Sequence, residues 1–256
     1  MRRLITIPIS HFCEKARWAL DRAGLDYREE RHVQGVHRIK ARRAGGGSTV
    51  PVLVTAEGVF AESEEILRYA DERIDEERRL FPADKELRTE VVTLCREMDA
   101  GLGPDGRRLM YAHMLGLKGP MLRVNNQGVP AWEARTMSTL WPLVTRWGRR
   151  ELGIGPDTLR VEERNVRRAF DVIAERLADG RPRLCGERFT AADLTFACLA
   201  AAVLVPPRYG VRLPQPDELP AHVARDVRAF REHPAGAYAM ELFRTERPPP
   251  AGSSHA

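Results

Sequence analysis

The first 80 residues alternate short strand patterns with helical ones. Segments rich in β-branched residues predict strands near 4–9, 26–33, 50–54 and 59–61. Apolar residues spaced by three and four predict a helix over 12–23 and a second one that Ser63 caps and that runs to Ala70, with a basic segment from His37 to Arg43 between them. The resulting order, βαβαββα, predicts a compact α/β unit.

The first predicted helix has clear signals at both ends. Ser10 stands where an N-cap belongs, and Gly24 is typical of a helix C-terminus. The apolar positions of this segment share one face. We therefore expect its polar side chains to turn to solvent, namely Glu14, Arg17 and Asp21.

The remainder of the chain has a mainly helical pattern. After a linker at 80–84, helices are predicted near 85–100, 132–152, 159–179, 190–205 and 221–245, with a glycine-rich region at 101–130. Thr190 and Asp193 form a capping box before the most apolar segment, Leu194 to Val205. That segment is 12 residues long, against roughly 20 needed to span a bilayer, so we expect a buried core helix. The predicted domains are 1–79 and 85–246, followed by a disordered tail at 247–256.

Composition narrows the function classes. The 41 Lys and Arg against 36 Asp and Glu give a net charge of +5, with no basic arm, so we expect neither a nucleic-acid nor a membrane partner. The four cysteines include no CxxC pair, which fits reduced thiols in the cytoplasm. No Cys/His set has zinc spacing, so no metal is expected.

Three motifs carry the candidate chemistry. Ser10-x-x-Cys13 follows the first strand, Val50-Pro51 opens a later strand, and Glu62-Ser63 begins a helix. In this order they resemble the N-terminal domain of the cytosolic glutathione transferases, Ser-type. The linker, the capping box at 190–193 and the helical second half extend the resemblance over most of the chain, although 101–155 matches poorly. The resemblance implies an α/β thioredoxin-like N-terminal domain followed by an all-α C-terminal domain.

The resemblance also implies an activity and its residues. It implies that glutathione, as co-substrate, is conjugated to a small hydrophobic electrophile in a cytoplasmic homodimer that serves detoxification. Ser10 would be catalytic. The implied glutathione-binding residues are Ser10, Phe12, His37, Val50, Pro51, Glu62 and Ser63. An electrophile pocket between the domains would include Met110, Tyr111 and Met114, although such an apolar stripe is also typical of a core.

Ser10 suits thiolate chemistry on physical grounds. The thiolate is the nucleophile, and a free thiol with a pKa near about 8.5 is mostly protonated at pH 7. A helix N-terminus favours a negative charge, and a hydroxyl donor adds a hydrogen bond that lowers the thiol pKa. The alternative is that Ser10 is only an N-cap.

Glu62, Ser63 and Val50 suit the rest of the tripeptide. Glu62 would pair with the γ-glutamyl ammonium, and Ser63 with the helix N-terminus would receive the carboxylate. Val50 would bind the cysteinyl backbone, with Pro51 fixing the turn. The alternative for the acidic pair is a first turn that merely suits the helix dipole.

The sequence departs from the family pattern at two places. Gly45 to Gly47 replaces an Asn-Pro and Gly segment, which suggests a more flexible loop. The cation for the glycyl carboxylate falls on His37 rather than Lys, with Lys40 and Arg43 as further candidates. Next to the site, Cys13 is expected to be buried and His11 to be exposed.

Two other functions remain open. A non-catalytic relative that binds a ligand or a protein would fit the glycine-rich loop and the unusual middle region. A glutathione-dependent thiol reductase or isomerase is the other, although such enzymes usually have Cys where this chain has Ser10.

Overall fold

The computed structural model describes residues 1–248 and begins with a mixed four-stranded sheet. The strand order is β2-β1-β3-β4, with β1 parallel to β2 and every other pair antiparallel. The strands are β1 Arg2–Thr6, β2 Tyr27–Arg31, β3 Val52–Val54 and β4 Val59–Phe60. The helices of this unit are α1 His11–Arg22, α2 Val36–Arg43 and α3 Ser63–Asp71. The predicted βαβαββα order is confirmed.

The rest of the described chain is helical, as predicted. The helices are α4 Lys85–Ala100, α5 Leu102–Met114, α6 Lys118–Asn125, α7 Ala131–Thr139, α8 Trp141–Glu151, α9 Thr158–Leu177, α10 Ala191–Leu204, α11 Ala221–Glu232 and α12 Pro234–Thr245. Nearly every residue of α10 is buried, and both halves of its capping box are formed by Thr190 and Asp193. The expected core helix is therefore confirmed. Among residues 1–248, no helix is both long and apolar enough to cross a membrane.

Two predicted helices are each divided into two in the structure. The predicted helix 132–152 is two helices that meet at Leu140, with Pro142 in the first turn of the second. The predicted helix 221–245 breaks at His233, whose backbone is extended (ψ 139°), because the residue before a proline avoids the helical region.

The glycine-rich region 101–130 contains α5 and α6 rather than a long loop. Two of its glycines allow close packing of α5 instead of breaking it. A β-carbon at Gly106 would touch Ala202 and the Leu199 carbonyl of α10 at 3.5–3.6 Å. A β-carbon at Gly103 would lie 2.6 Å from Cζ of Phe12.

The polar side chains of α1 do not face solvent, contrary to expectation. Glu14, Arg17 and Asp21 are buried in a network of ion pairs. Arg17 pairs with Glu14 and with Glu29 of β2. Long-range partners therefore outweigh the local amphipathic pattern.

Arg247 completes that network from the far end of the chain. It was expected at the start of a disordered tail, but it is 3% exposed and pairs with Glu14 (2.8 Å) and Asp21 (2.7 Å). An ion pair buried to this degree fixes the backbone at residue 247, so the ordered part of the chain extends past the predicted boundary. The other tail residues, from 249 onward, lie outside the described part of the chain.

Candidate functional site

The sheet brings the three sequence motifs to one edge. Ile5 near the end of β1 pairs with Val52 at the start of β3, and Leu53 pairs with Phe60 at the end of β4. Both pairs are antiparallel, so the end of β1, the start of β3 and the end of β4 lie on the same side. The segments 7–10, 50–51 and 61–63 therefore emerge together.

Ser10 is the N-cap of α1. Its Oγ accepts a hydrogen bond from the Cys13 backbone N–H at 3.3 Å. A hydroxyl that accepts through a lone pair still has its hydrogen available for donation. The half-buried side chain therefore offers a donor at the positive end of a helix dipole.

Arg17 holds the loop that leads to Ser10. Its Nη2 donates to the carbonyls of Ile7 and Pro8, each at 3.3 Å. Sequence reasoning missed this residue because helical spacing placed it on a polar face. The available signal was the acidic residue three positions earlier, Glu14, with which Arg17 pairs.

His11 and Cys13 follow Ser10 in the first turn of α1, and both are buried. Cys13 is fully buried, as expected, and burial raises the pKa of its thiol. His11 was expected to be exposed, but it packs against Phe12 with ring centroids 4.7 Å apart. Burial, together with the nearby Arg107 charge, lowers the His11 pKa to about 3, so this imidazole is neutral at pH 7.

The Val50–Pro51 peptide is cis, and Pro51 is buried while Val50 is half-buried. The glycines before it are fastened rather than loose. Gly46 N–H donates to the Ala41 carbonyl at 2.9 Å, and a β-carbon at Gly46 would collide with the Val52 side chain. The glycine-rich segment therefore lets the loop pass closely over β3.

Glu62 and Ser63 begin α3, but the helix cap is not the residue that was expected. Glu62, not Ser63, is the N-cap, and Ser63 is a buried first-turn residue. Glu65 accepts from the N–H groups of Ala61 (2.8 Å) and Glu62 (3.2 Å). Partial burial raises the Glu62 pKa, and the charges of Glu65 and Asp99 add to that rise.

His37 does not present a cation. Its Nδ1 accepts a hydrogen bond from Gly35 N–H at 3.2 Å, and the ring is buried. Burial and the neighbouring Arg38 charge lower its pKa to about 4, so it is neutral at pH 7. This corrects the expectation of a positive charge at position 37. Lys40 is half-buried and Arg43 exposed on the same helix.

A small apolar cavity of about 60 Å³ lies beside the strand-to-helix loop. Ile9, which precedes Ser10, contributes one wall, and helices of the second half together with the segment between α10 and α11 contribute the others. Met110 and Met114 line it, with Val205, Tyr209 and Val227. Tyr111 is not among the lining residues. Its hydroxyl instead accepts from Gln34 Nε2 at 3.0 Å.

The β2–α2 loop is fastened to the helical half at two points. The Gln34–Tyr111 bond is one. The other is the buried Glu133 carboxylate of α7, which accepts from the Val33 N–H at 3.0 Å and lies 2.8 Å from Nδ1 of His32. Among residues 1–248, no group of three His, Cys, Asp or Glu side chains could hold a metal ion.

The chain matches two family models. Residues 4–78 match the glutathione S-transferase N-terminal domain, and residues 156–233 match the glutathione S-transferase C-terminal domain. Together the matches cover more than half of the chain. Residues 79–155, which include α4 to α8, lie between them. No curated protein matches the sequence.

Solved structures share the fold over nearly the whole chain. A glutathione S-transferase of Xanthobacter autotrophicus Py2 is 19% identical with a TM-score of 0.62, covering 96% of this chain and 93% of its own. One from Sinorhizobium meliloti 1021 is 20% identical with a TM-score of 0.58, covering 100% and 97%. A third, from Methylobacillus flagellatus KT with glutathione bound, is 15% identical with a TM-score of 0.55, covering 93% and 98%.

Proposed function

Because this chain belongs to the glutathione S-transferase family, we propose that it binds glutathione and transfers its thiolate to a small hydrophobic electrophile. The observation that carries this proposal is the position of Ser10. Its hydroxyl lies at the N-terminus of α1, on the sheet edge from which the Val50–Pro51 and Glu62–Ser63 segments also emerge.

Ser10 stabilises the thiolate without becoming covalently modified. The Ser10 hydroxyl and the α1 N-terminus lower the thiol pKa, and the thiol proton passes to solvent. The sulfur then forms a bond to the electrophilic carbon, and the leaving group departs with its electron pair. Holding both reactants in one site supplies the rest of the acceleration.

The remaining motifs hold the tripeptide. Glu62 pairs with the γ-glutamyl ammonium, and Ser63 with the α3 N-terminus receives the adjoining carboxylate. The Val50 backbone pairs with the cysteinyl residue. Lys40 and Arg43 remain as cations for the glycyl carboxylate, because His37 is neutral at pH 7.

The electrophile lies against the apolar wall that Ile9, Met110 and Met114 form, because a cavity of about 60 Å³ is too small to enclose an aromatic ring. Phe12 packs over α5 at Gly103 and so closes the site toward the helical domain. Four free, buried cysteines support a cytoplasmic location. The proposal also includes a homodimeric assembly and a detoxifying role, which the family resemblance supports.

The rival enzyme activity, thiol reduction or isomerisation through a mixed disulfide, is disfavoured by the burial of Cys13. A non-catalytic binding protein is the other rival. It would bind glutathione or another ligand but would show no turnover.

Two measurements test the proposal in sequence. Calorimetric titration with reduced glutathione is expected to give binding in the millimolar range or tighter. Conjugation to 1-chloro-2,4-dinitrobenzene is then followed by absorbance, with Ser10→Ala as the matched control. Binding without turnover in either protein would favour the non-catalytic rival, and no binding to the folded protein would reject the proposal.

A further inference from the structure

One face of α5 contacts the N-terminal domain. Gly103, Arg107 and Tyr111 follow one another at intervals of four residues, so they share that face. Gly103 lies against the Phe12 ring, and the Tyr111 hydroxyl bonds to Gln34. Arg107 therefore lies between two interdomain contacts, close enough to His11 to lower that residue's pKa.

Arg107 has no carboxylate partner among residues 1–248. Its side chain is half-buried, and its Nε is shielded from solvent without a hydrogen-bond acceptor. The adjacent Arg108, by contrast, donates from Nε to Glu162 at 2.7 Å. Burying a cation without a partner is unfavourable. The region between the Phe12 and Gln34 contacts therefore contains a positive charge that no carboxylate of residues 1–248 compensates.

The helix that carries Arg107 also lines the apolar cavity, although Arg107 itself is not a lining residue. Met110 and Met114 of the same helix line the cavity, three and seven residues after Arg107. A ligand that lies against Met110 and Met114 and extends toward the α1 N-terminus would come near the guanidinium, whose charge acts on His11 next to Ser10. An apolar body with an anionic group matches this combination, because a guanidinium binds a carboxylate through two parallel hydrogen bonds.

We propose that Arg107 binds a carboxylate of the second substrate, so that the preferred electrophiles are apolar molecules that carry an anionic group. This inference rests on the proposed transferase function and names its substrate class. The covalent step is unchanged, since the carboxylate takes no part in bond formation and only orients the electrophile.

Two aryl chlorides, each activated by two nitro groups, test the charge preference, and each is compared between wild type and variant so that their different intrinsic reactivities cancel. They are the neutral 1-chloro-2,4-dinitrobenzene and the anionic 4-chloro-3,5-dinitrobenzoate. Arg107→Gln is expected to lower kcat/KM for the benzoate about 10-fold or more while changing that for the neutral compound less than about threefold. Arg107→Lys keeps the positive charge but loses the planar guanidinium that binds a carboxylate through two hydrogen bonds. Its kcat/KM for the benzoate is expected to lie between those of wild type and Arg107→Gln.

Arg160→Gln is the matched control, because Arg160 is 68% exposed on α9, and it is expected to leave both substrates unaffected. An equal loss for both electrophiles, or a weaker glutathione affinity in Arg107→Gln, would overturn the inference and place Arg107 at the glutathione carboxylate. The melting temperature adds an independent check. An unpaired cation loses no partner on neutralisation, so Arg107→Gln is expected to unfold at the same or a higher temperature, and a clear decrease would indicate a structural role.

Binding without chemistry separates this inference from the transferase proposal. Calorimetric titration of 4-chloro-3,5-dinitrobenzoate is carried out without glutathione on wild type and Arg107→Gln. Binding to wild type that is about 10-fold weaker in the variant supports Arg107 even if no conjugation occurs. Equal affinity, or no binding to wild type, rejects the inference even if the protein conjugates the neutral compound.

Discussion

Arg247 donates a hydrogen bond from Nε to Glu14 Oε1 at 2.8 Å, across 233 positions of sequence, and both side chains are buried. The pair joins the end of the helical domain to α1, the helix that begins at Ser10. Arg247 also reaches Asp21 on the same helix. The position of the candidate catalytic helix therefore depends on a residue far outside the N-terminal domain.

Removing Arg247 is expected to destabilise the whole protein. Arg247→Met leaves the Glu14 and Asp21 carboxylates buried without their cation, which costs about 3–5 kcal/mol. The free energy of unfolding in urea measures the loss. Arg244→Met, which removes an exposed partner of Glu241, is the control and is expected to change little. A change in Arg247→Met as small as that of the control would show that the network is dispensable.

Replacing Ser10 is expected to reduce turnover far more than glutathione binding. Ser10→Ala removes a hydrogen bond to the thiolate worth roughly 1.5–3 kcal/mol, which lowers kcat about 10- to 150-fold. Loss of the N-cap adds about 1 kcal/mol of destabilisation. Ser10→Thr keeps a hydroxyl and is expected to recover part of the rate. Full activity of Ser10→Ala across pH 6–8 would show that Ser10 only caps α1 and does not stabilise the thiolate.

The α3 N-terminus is expected to determine glutathione affinity. Glu62→Gln and Ser63→Ala each remove a charge-assisted contact to the γ-glutamyl group, worth roughly 1.5–3 kcal/mol. Calorimetric Kd values measure the effect. Glu64→Gln removes a carboxylate from the same turn that pairs with Arg68, and it serves as the control. If Glu62→Gln and Ser63→Ala bind glutathione like wild type, the γ-glutamyl assignment is wrong.

Cys13 is expected to remain unmodified by oxidised glutathione. Its thiol is fully buried, and burial raises its pKa, so little thiolate is available for exchange. Intact-mass measurement after exposure is expected to show no adduct. Cys13→Ala should retain conjugation within a few-fold, with a stability loss of about 1–2 kcal/mol. One added glutathione that maps to Cys13 would instead support a thiol-exchange enzyme.

The stability of the fold is expected to fall as the pH is lowered from 6.5 toward 4. His37 has a pKa of about 4 when folded and about 6.5 when unfolded. Between these values the unfolded chain binds more protons, so unfolding becomes easier as the pH falls. His37→Gln removes this contribution, which amounts to roughly 3 kcal/mol at most. Urea unfolding at pH 7, 5.5 and 4.5 measures the difference, and parallel pH profiles for the two proteins would contradict the assignment.

Local signals in the sequence were sufficient to predict the first unit. Ser10 is a residue type typical of an N-cap, a strand pattern precedes it and a helical spacing follows it. Each of these three signals involves only neighbours within a few residues. The same holds for the Thr190–Asp193 capping box. The break at His233 was also readable, since Pro234 follows it directly.

Properties set by distant partners were not predictable. Arg17 matched a solvent-facing position, yet Glu29 of β2 pairs with it in a buried site. His37 matched a cation position, yet its environment makes it neutral. Arg107 has no sequence signal at all, because what distinguishes it is the missing partner. Helical periodicity describes one element, whereas each of these properties arises between elements.

Gly103 places bare backbone where α5 meets the Phe12 ring. The Phe12 ring packs directly against that backbone, since a β-carbon at 103 would lie 2.6 Å from Cζ of Phe12. Any side chain at 103 would displace that ring, because its β-carbon would overlap with the ring. The width of the contact between the two domains can thus be changed at a single position that contributes no functional group, through the size of the side chain placed there.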